Sequence, residues 1–572
     1  MKRIALVSAF TVAIGALTAA VAYQPAPPQP ADLALIGGKI VTVESKPAEA
    51  QAIAVRGDRI VAIGSTADIR RLVGPSTQVI DLKGQLVIPG FVEGHGHFSG
   101  VGTAELQLKR GNAKNWDEIV AMVAETVKKA QPGQWILGRG WHQEKWDARP
   151  EPNVEGFPVH DALSAVSPNN PVYLTHASGH ASFVNAKAME LSGMTDKTPN
   201  PAGGDILRDA KGRATGALRE TASRLIRQGE GEPKRTPEED RARAEKVLEL
   251  ASQEVLSKGV TSFQDAGSPF STVDRMKAMI DAGRVNVRLW VMIRQGNDAL
   301  AQNLAKYRMV DYANGMLTVR GIKHSIDGAL GSRGAWLLEP YPDKPGDTGR
   351  NTTPVDTIRE TAKLAMQHDY QLCVHAIGDR ANRETLDIFE EAFKAHPDKK
   401  NVRWRVEHAQ HLHPADIPRF GKMGVIASMQ GVHCTSDAPY VPARLGEQRS
   451  REGAYVWQSL LKTGAVVSNG TDAPVEDVDP IASYYSTVTR KTNDGKLFYP
   501  AQRMSRMEAL KSYTLSGAYA AFEENSKGSL KVGKYADIVV LSKDILTVPD
   551  EEIKKAEVVY TIVGGKIRYK KG

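Results

Sequence analysis

The amino-acid sequence predicts an α/β protein, a (β/α)8 TIM barrel with a small β-sandwich domain built from both termini and a long insertion after strand 1. Short apolar strands alternate with helical stretches through the middle of the chain, which is typical of a parallel barrel. Short β-rich runs occupy both ends and predict the sandwich. Residues 98–258 are too many for a single βα connection, which predicts the insertion.

The sandwich is predicted from the terminal segments, residues 31–89 and 528–572. Each segment contains short β runs, such as 52–55 and 536–541, that are separated by glycine and polar turns. We expect the two segments to pair in one domain that brings the chain ends together.

The barrel is predicted to occupy residues 90–527, with its first strand starting just before this segment. The expected strands are 86–92, 260–264, 288–293, 318–326, 371–374, 403–406, 424–428 and 465–468. Barrels of this kind carry their functional residues at the C-terminal strand ends, so the residues that follow each strand are the candidates for chemistry.

The composition is that of an ordinary globular protein, with 41% hydrophobic and 24% charged residues. The formal net charge is +8, but the basic residues are scattered among 66 acidic ones and form no long basic block. We therefore interpret the charge as a property of the whole surface and expect no nucleic-acid partner. The sequence leaves the oligomeric state open, a homo-oligomer included.

The first 22 residues have the pattern of a secretory signal peptide, with basic residues at 2 and 3, an apolar run over 4–19 and the cleavage site Ala20-Val21-Ala22. The alternative is an uncleaved membrane anchor, for which the apolar run is short. A proline-rich linker follows over 23–30. We expect a periplasmic or secreted protein with no stable membrane insertion after cleavage. Cys373 and Cys434 permit a disulfide there, but two free, buried thiols are expected.

Metal-ligand side chains follow several of the predicted strands. A strand ending in His95-Gly-His97 presents two imidazoles on one face, because alternate side chains point the same way. Neutral imidazoles are favoured ligands of divalent transition metals. Later strand ends add Lys323, His375, His408 and Asp472. One barrel mouth would gather all of these side chains, and this convergence is more specific than any single motif.

The sequence around these residues resembles the amidohydrolase superfamily, and more closely its amidohydrolase-3 branch, which includes N-substituted formamide deformylases. Besides the strand ends, the resemblance is carried by Gly138-Arg-Gly-Trp141 and by residues 167–172, 179–185, 203–216 and 327–333. It covers nearly the whole chain after the signal peptide. It implies a barrel with a small sandwich made from both termini, in agreement with the partition above.

The resemblance also implies a two-metal centre. His95 and His97 would bind one divalent ion, His375 and His408 a second, and Asp472 would be a further ligand. Zinc is the expected metal, although imidazole and carboxylate suit several ions. A lysine ammonium beside two dications is strongly disfavoured, so Lys323 is expected to be carboxylated and to bridge the metals, as in similar enzymes. The alternative is an ion pair between Lys323 and Asp327.

The expected activity is that of an exported metal-dependent hydrolase that cleaves a carbon–nitrogen amide bond in a small molecule of the N-acyl or N-formyl amine type. Metal-activated hydroxide would attack the carbonyl, and Asp472 would act as general base and then as general acid. Two alternatives stay open: hydrolysis of a lactone, ester or cyclic amide at the same site, or a non-catalytic periplasmic binding protein of the same fold.

Some further residues are candidates for the substrate pocket, each with a structural alternative. His180 either reaches over the barrel mouth or ties the insertion together. Trp141 either lines the pocket or packs among aromatic side chains. Arg333 either grips a substrate carboxylate or pairs with an acidic residue of the fold. His433 lies in a stretch that resembles the branch pattern Gln-Pro-x-His, with glycine in place of proline. The nearby His411 is expected to face solvent.

Overall fold

A computed structural model describes residues 29–109, 113–232 and 234–572. The predicted signal peptide, residues 1–22, and most of the linker lie outside these described residues. The predicted fold class is confirmed. Parallel strands form a nearly closed barrel, strands from both termini build a sandwich, and a long insertion with its own sheet follows the first barrel strand.

The barrel contains the eight predicted strands in chain order. They are β1 Phe91–Gly96, β2 Val260–Ser268, β3 Arg288–Ile293, β4 Leu317–Ser325, β5 Gln371–Ala376, β6 Arg405–His408, β7 Ile426–Gln430 and β8 Val467–Gly470. The end of β8 returns to β1, where the Asp472 N–H donates a 2.7 Å hydrogen bond to the His95 carbonyl. Glycine permits this approach, because a Cβ on Gly94 would lie 2.5 Å from the Asn469 carbonyl oxygen.

The predicted first strand, residues 86–92, is in fact two strands. Leu86–Pro89 pairs within the sandwich, and β1 begins at Phe91, after a break at Gly90. A Cβ on Gly90 would lie 2.0 Å from Thr261 Oγ1, so this position between the two domains accommodates only glycine. The sequence shows one unbroken apolar run because both strands are fully buried, which leaves no polar residue at the junction.

Two sheets form the sandwich. The first has the order Arg59–Gly64, Ala52–Arg56, Leu33–Ile36, Gln78–Asp81, and the second has the order Lys566–Lys570, Val558–Val563, Ile538–Leu541, Leu86–Pro89, Lys39–Val41, Glu49–Ala50. Leu86–Pro89 pairs antiparallel with Ile538–Leu541, which joins the two ends of the chain in one sheet. The side chains of Leu35, Ile53 and Val87 belong to the apolar core of this domain.

The insertion folds around a mixed sheet. Its strand order is Gly204–Arg208, Ala214–Glu220, Ala181–Val184, Val172–His176, Ile136–Trp141, Leu108–Lys109, with a separate hairpin of Asn153–Val154 and Phe157–Pro158. Neighbouring residues of one strand, Tyr173 and Leu174, pack into two different apolar clusters. Because successive side chains of a strand point to opposite faces, the sheet carries an apolar cluster on each face.

Helices cover the barrel and fill the insertion. They are Thr66–Arg70, Phe98–Glu105, Trp116–Val127, Asp161–Val166, Ala186–Leu191, Pro237–Ser257, Phe270–Asp281, Asn297–Tyr307, Val355–Gln367, Asp379–Ala395, Ile417–Met423, Gly431–Asp437, Val441–Leu445, Glu447–Gly453, Trp457–Lys462, Pro480–Thr489, Arg506–Ser512, Leu515–Ala520 and Asp550–Ile553. Shorter elements are the 3-10 turns Gln143–Lys145, Thr221–Leu225 and Pro500–Gln502, the left-handed turn Tyr312–Gly315 and the edge strand Met309–Asp311. Within the described ranges, no helix is long and apolar enough to cross a bilayer. Both cysteines are buried and free, as expected.

Candidate metal centre

The strand-end residues predicted as metal ligands lie together at the mouth of the barrel. They are His95, His97, Lys323, His375, His408 and Asp472. Asp472 Oδ1 lies 3.2 Å from His97 Nε2 and 3.6 Å from His95 Nε2. The ring centroid of His408 is 4.7 Å from that of His95 and 4.5 Å from that of His375. The parallel strands bring these side chains together because their C-terminal ends meet at one face.

The donor atoms of this cluster are not all satisfied by the protein itself. His375 Nε2 and Asp472 Oδ1 are buried and make no hydrogen bond within the described part of the chain. Burial lowers the pKa of His375 and of His408 well below the usual range and that of His95 to about 4, so all three imidazoles are neutral at pH 7. Neutral imidazoles beside a carboxylate with unused lone pairs fit a divalent metal ion.

Two groups of ligand atoms are close enough to hold an ion. His95, His97 and Asp472 form the first, and His408, His433 and Asp472 form the second, with all ligand atoms of a group within 4.8 Å of one another. The first group contains the residues expected to bind one ion. In the second, His433 takes the place expected for His375 and comes from the helix that follows β7. His375 Nε2 instead lies 3.4 Å from Asp327 Oδ1.

Two of the imidazoles are oriented by buried acceptors. His95 Nδ1 hydrogen-bonds the Glu407 carboxylate, which also pairs with Arg405 Nε at 2.7 Å. His408 Nδ1 lies 2.7 Å from Gln430 Oε1, and because this oxygen can only accept, Nδ1 carries the proton. Both rings therefore present Nε2 as the free lone pair, and such acceptors behind metal-binding histidines fix both tautomer and direction.

Backbone strain marks two of the candidate ligands. His408 and Asp472 have φ angles of 76° and 58°, in the left-handed region that residues with a side chain rarely adopt. Such strain is often found at functional sites, where the surrounding structure holds it in place. Burial raises the pKa of Asp472, but its contacts with His97, His95 and His408 outweigh this effect and hold the pKa well below its usual range. Asp472 is therefore a carboxylate at pH 7.

Lys323 is buried within the same cluster, and its Nζ lies 3.4 Å from His95 Nε2. Burial lowers the pKa of Lys323 to about 8, so a measurable fraction of the amine is neutral at physiological pH. The alternative partner, Asp327, accepts hydrogen bonds from the backbone amides of Trp336, Ile377 and Gly378 at 2.8 to 3.0 Å. Asp327 is thus engaged by the barrel loops.

The insertion places His180 over the barrel mouth. His180 Nδ1 lies 2.7 Å from Glu220 Oε2, and its ring centroid is 4.9 Å from that of His375. Burial lowers the pKa of His180, but the charge of Glu220 outweighs this effect and raises it. A Cβ on either Gly328 or Gly334 would lie 2.1 Å from Glu220 Oε1, so two glycines of a barrel loop make room for the carboxylate. His180 therefore reaches the mouth and ties the insertion together, whereas Glu220 contacts the barrel loop.

The structure decides the alternatives left open for Trp141 and Arg333 and corrects the expectation for His411. Trp141 does not line the cavity. Its Nε1 donates a 3.0 Å hydrogen bond to the Leu174 carbonyl, and its ring packs in the apolar core of the insertion. Arg333 does not face a substrate, because it pairs with Asp343 at 2.9 Å. His411 is not solvent-facing but 2% exposed. In each case the local motif was polar or aromatic, and only the tertiary packing shows which neighbours it meets.

A cavity of about 410 Å³ lies above the cluster and is lined by residues of the barrel and of the insertion. His180, His375, His408 and Asp472 also border a smaller extension of about 40 Å³, which His433 lines. The predicted pocket residues His180 and His433 thus lie at the cavity and at its extension.

Sequence reasoning missed the buried carboxyl groups that support the cluster. Glu407 is the residue before His408, and Glu93 lies two residues before His95 in the same strand. Glu93 accepts hydrogen bonds from the Thr471 N–H at 2.6 Å and the Thr471 Oγ1 at 2.9 Å, which ties β1 to the loop after β8. Burial raises the pKa of Glu93 to about 8. The available signal was a carboxylate one or two residues before a candidate ligand within a buried strand.

The comparisons with known proteins agree with this geometry. The amidohydrolase family model matches residues 78–569. The chain is 33% identical over 552 residues to the protein LONG AFTER FAR-RED 3 of Arabidopsis thaliana, which covers 94% of this chain and 92% of that one. It is 27% identical over 552 residues to the N-substituted formamide deformylase of Arthrobacter pascens, with 94% and 98% covered. The crystal structure of an uncharacterised metal-dependent hydrolase from Pyrococcus furiosus matches with a TM-score of 0.68 at 26% identity, over 90% of this chain and 100% of that one.

The barrel and its cluster of imidazole and carboxylate donors define the class, that of the metal-dependent hydrolases. Within this class, the chain belongs to the amidohydrolase family. It is a hydrolase that acts on carbon–nitrogen bonds.

Proposed function

We propose that this protein hydrolyses the amide bond of an N-acyl or N-formyl amine, using two zinc ions at the barrel mouth. The observation that carries the proposal is the convergence of the His95 and His97 imidazoles on Asp472 Oδ1, a buried oxygen without a hydrogen bond in the described part of the chain. The similarity to an N-substituted formamide deformylase supports an N-formyl or N-acyl amine as the substrate.

The proposed ligands follow from the two groups of donor atoms. His95, His97 and Asp472 would hold one ion. His408 would hold the second, together with His375 or His433. A carboxylated Lys323 would bridge them, which the lowered pKa of its amine supports because only a neutral amine reacts with carbon dioxide.

A metal held by these residues would supply Lewis-acid chemistry, polarising the scissile carbonyl and making water a better nucleophile. Side chains of the protein carry out the remaining steps. The Asp472 carboxylate accepts the proton of the attacking water as the new carbon–oxygen bond forms, and it returns this proton to the leaving nitrogen as the carbon–nitrogen bond breaks. His180 lies where it can donate a hydrogen bond to the substrate from the side of the insertion.

The test is hydrolysis of a panel of N-formyl and N-acyl amines by the zinc-loaded protein, with metal content measured on the same sample. We expect amine release that a chelator abolishes and added zinc restores. Asp472→Asn should lose at least about a hundredfold in kcat, the usual contribution of a general acid–base group. Asp477→Asn is the matched control, because Asp477 is exposed and pairs with Lys258.

Two outcomes would contradict the proposal. One is a zinc-loaded protein that cleaves esters or lactones from a parallel panel but no amide. The other is an Asp472→Asn variant that keeps full turnover, which would remove Asp472 as the proton carrier.

We also propose that the protein is exported, because residues 1–22 have the features of a cleavable signal peptide. Expression of the full chain, followed by fractionation and N-terminal sequencing, tests this. We expect a mature periplasmic or secreted chain that starts at residue 23. An uncleaved chain in the soluble cytoplasmic fraction would contradict export.

A further inference from the structure

Three arginines line the cavity above the candidate metal centre. Arg139 donates hydrogen bonds to the backbone carbonyls of Pro474 and Ala177, which leaves Arg224 and Arg294 as the guanidinium groups available to a ligand. Arg224, from a turn of the insertion, and Arg294, which follows β3, both line this cavity. Arg294 Nη2 donates a 3.1 Å hydrogen bond to Ser325 Oγ. Among the residues that the structure describes, neither arginine forms an ion pair with a carboxylate.

None of the three carboxylates that line the same cavity pairs with Arg224 or Arg294. Glu220 hydrogen-bonds His180, and Asp327 accepts backbone amides of the barrel loops. Asp472 faces the imidazoles of the candidate metal centre. Arg224 and Arg294 are therefore without a carboxylate partner among the described residues of this cavity.

The fold holds Arg294 in this position. Gly267 has a φ of +125°, and a Cβ on it would lie 3.0 Å from Arg294 Cδ. The aliphatic part of the Arg294 side chain therefore packs against the backbone at a position that favours glycine. Its backbone N–H donates a 3.0 Å hydrogen bond to the Ser268 carbonyl. Both arginines are exposed at the cavity mouth, and partial desolvation and then the charge of Arg224 lower the pKa of Arg294. Two like charges kept near each other repel, and an anion placed between them removes this repulsion.

The rest of the wall suits a polar ligand. Hydroxyl groups line it from several elements: Ser178, Thr221, Ser223, Ser325, Thr352 and Thr353. Its apolar contribution comes mainly from Pro474 and Val475. Hydroxyl and guanidinium donors together are the groups that bind oxyanions, whereas a long apolar acyl chain would find little surface to contact.

We propose that Arg224 and Arg294 bind a carboxylate carried by the substrate, which makes a small, polar, acidic amide the preferred substrate class. The identity of the cleaved bond rests on the function proposed above, whereas the binding of the anion does not. An N-acyl amino acid is the simplest compound of this class.

Binding tests the anion site without turnover. N-acetylglycine and the neutral N-acetylglycinamide are titrated calorimetrically into the full chain, with and without zinc. We expect the metal-free protein to bind the acid at least tenfold more tightly than the amide. Arg294→Gln and Arg224→Gln should each remove most of this preference. Arg227→Gln is the matched control, because Arg227 follows in the same segment outside the cavity lining.

Turnover then tests the substrate class. For zinc-loaded protein, kcat/KM should be at least tenfold higher for N-formylalanine than for N-formylalaninamide, and Arg294→Gln should raise KM for the acid with little change for the amide. Equal binding of the acid and the amide, or an acid preference that survives in the double variant Arg224→Gln/Arg294→Gln, would overturn the proposal. An acid preference in binding without hydrolysis of either compound would leave the anion site standing and refute the proposed amide hydrolysis.

Discussion

Replacing Glu407 with glutamine tests whether this buried carboxylate both stabilises the barrel and orients a metal ligand. Glu407 lies between Arg405 and His95, and all three side chains are fully buried. Burial raises the pKa of Glu407, but the charge of Arg405 and the contact with His95 outweigh this effect and hold it well below its usual range. The variant therefore removes a charge from a dry site and leaves the guanidinium behind.

The structure sets the size of the expected effect. Removing one partner of a buried ion pair costs about 3–5 kcal/mol. Arg405 keeps other acceptors, among them the Gly94 carbonyl at 2.7 Å and Ser428 Oγ at 2.8 Å, so we expect the lower end, about 3 kcal/mol in the free energy of unfolding. Loss of the acceptor behind a metal-binding histidine lowers metal affinity by about 10–100-fold, and we expect this range for Glu407→Gln.

Urea unfolding of the metal-free protein measures the first effect, and competitive titration with a chelator measures the second. Glu524→Gln is the control, because Glu524 pairs with Arg403 at 2.8 Å but is partly exposed. Pairs of that kind contribute about 1 kcal/mol or less, and the control should not change metal affinity. A Glu407→Gln variant with unchanged metal affinity and wild-type stability would refute the reasoning.

Three further predictions concern other parts of the structure. Burial lowers the pKa of His411 to about 3. Below about pH 6.5, the usual pKa of histidine, His411 is therefore protonated in the unfolded chain but stays neutral in the folded one. As the pH decreases below this value, the free energy of unfolding falls by about 1.4 kcal/mol per pH unit. His411→Phe should reduce this loss between pH 6.5 and 4.5 in urea titrations, and an unchanged slope would count against it. Gly334→Ala should displace Glu220 and His180 and lower kcat about tenfold. Gly296→Ala is the control and should leave kcat unchanged, because a Cβ at this position would contact no other atom. Equal kcat values for the two variants would contradict this role of Gly334. Lys323→Ala should lose activity that acetate partly restores, and failure of this rescue would argue against a bridging carboxylate.

The sequence predicted the order of the barrel strands because each one is a short apolar run bounded by polar or glycine turns. It also predicted which side chains gather at the mouth, because parallel strands leave only one face for their C-terminal ends. The position of His97 relative to His95 followed from strand geometry alone. These features depend on local pattern and topology, which a single chain displays.

Other features depend on contacts between distant segments, which no local pattern displays. Glu407 supports His95 across the barrel, and Glu220 reaches a loop more than a hundred residues further along the chain. The glycine-rich motif at Trp141 left open whether the ring lines the pocket or packs among aromatic side chains, and the contacts within the insertion decide for packing. The break at Gly90 was invisible because the strands on both sides are equally apolar.

The pairing of Leu86–Pro89 with Ile538–Leu541 also sets an order for folding. While the chain is being synthesised, one edge of Leu86–Pro89 has no partner, and β1 continues directly from this unprotected strand. The edge can be closed only when the last strands become available, after all the barrel strands have been made. Such long-range pairing is slow to form, so a nascent or truncated chain would hold an almost complete barrel beside an open β-edge that is prone to aggregate.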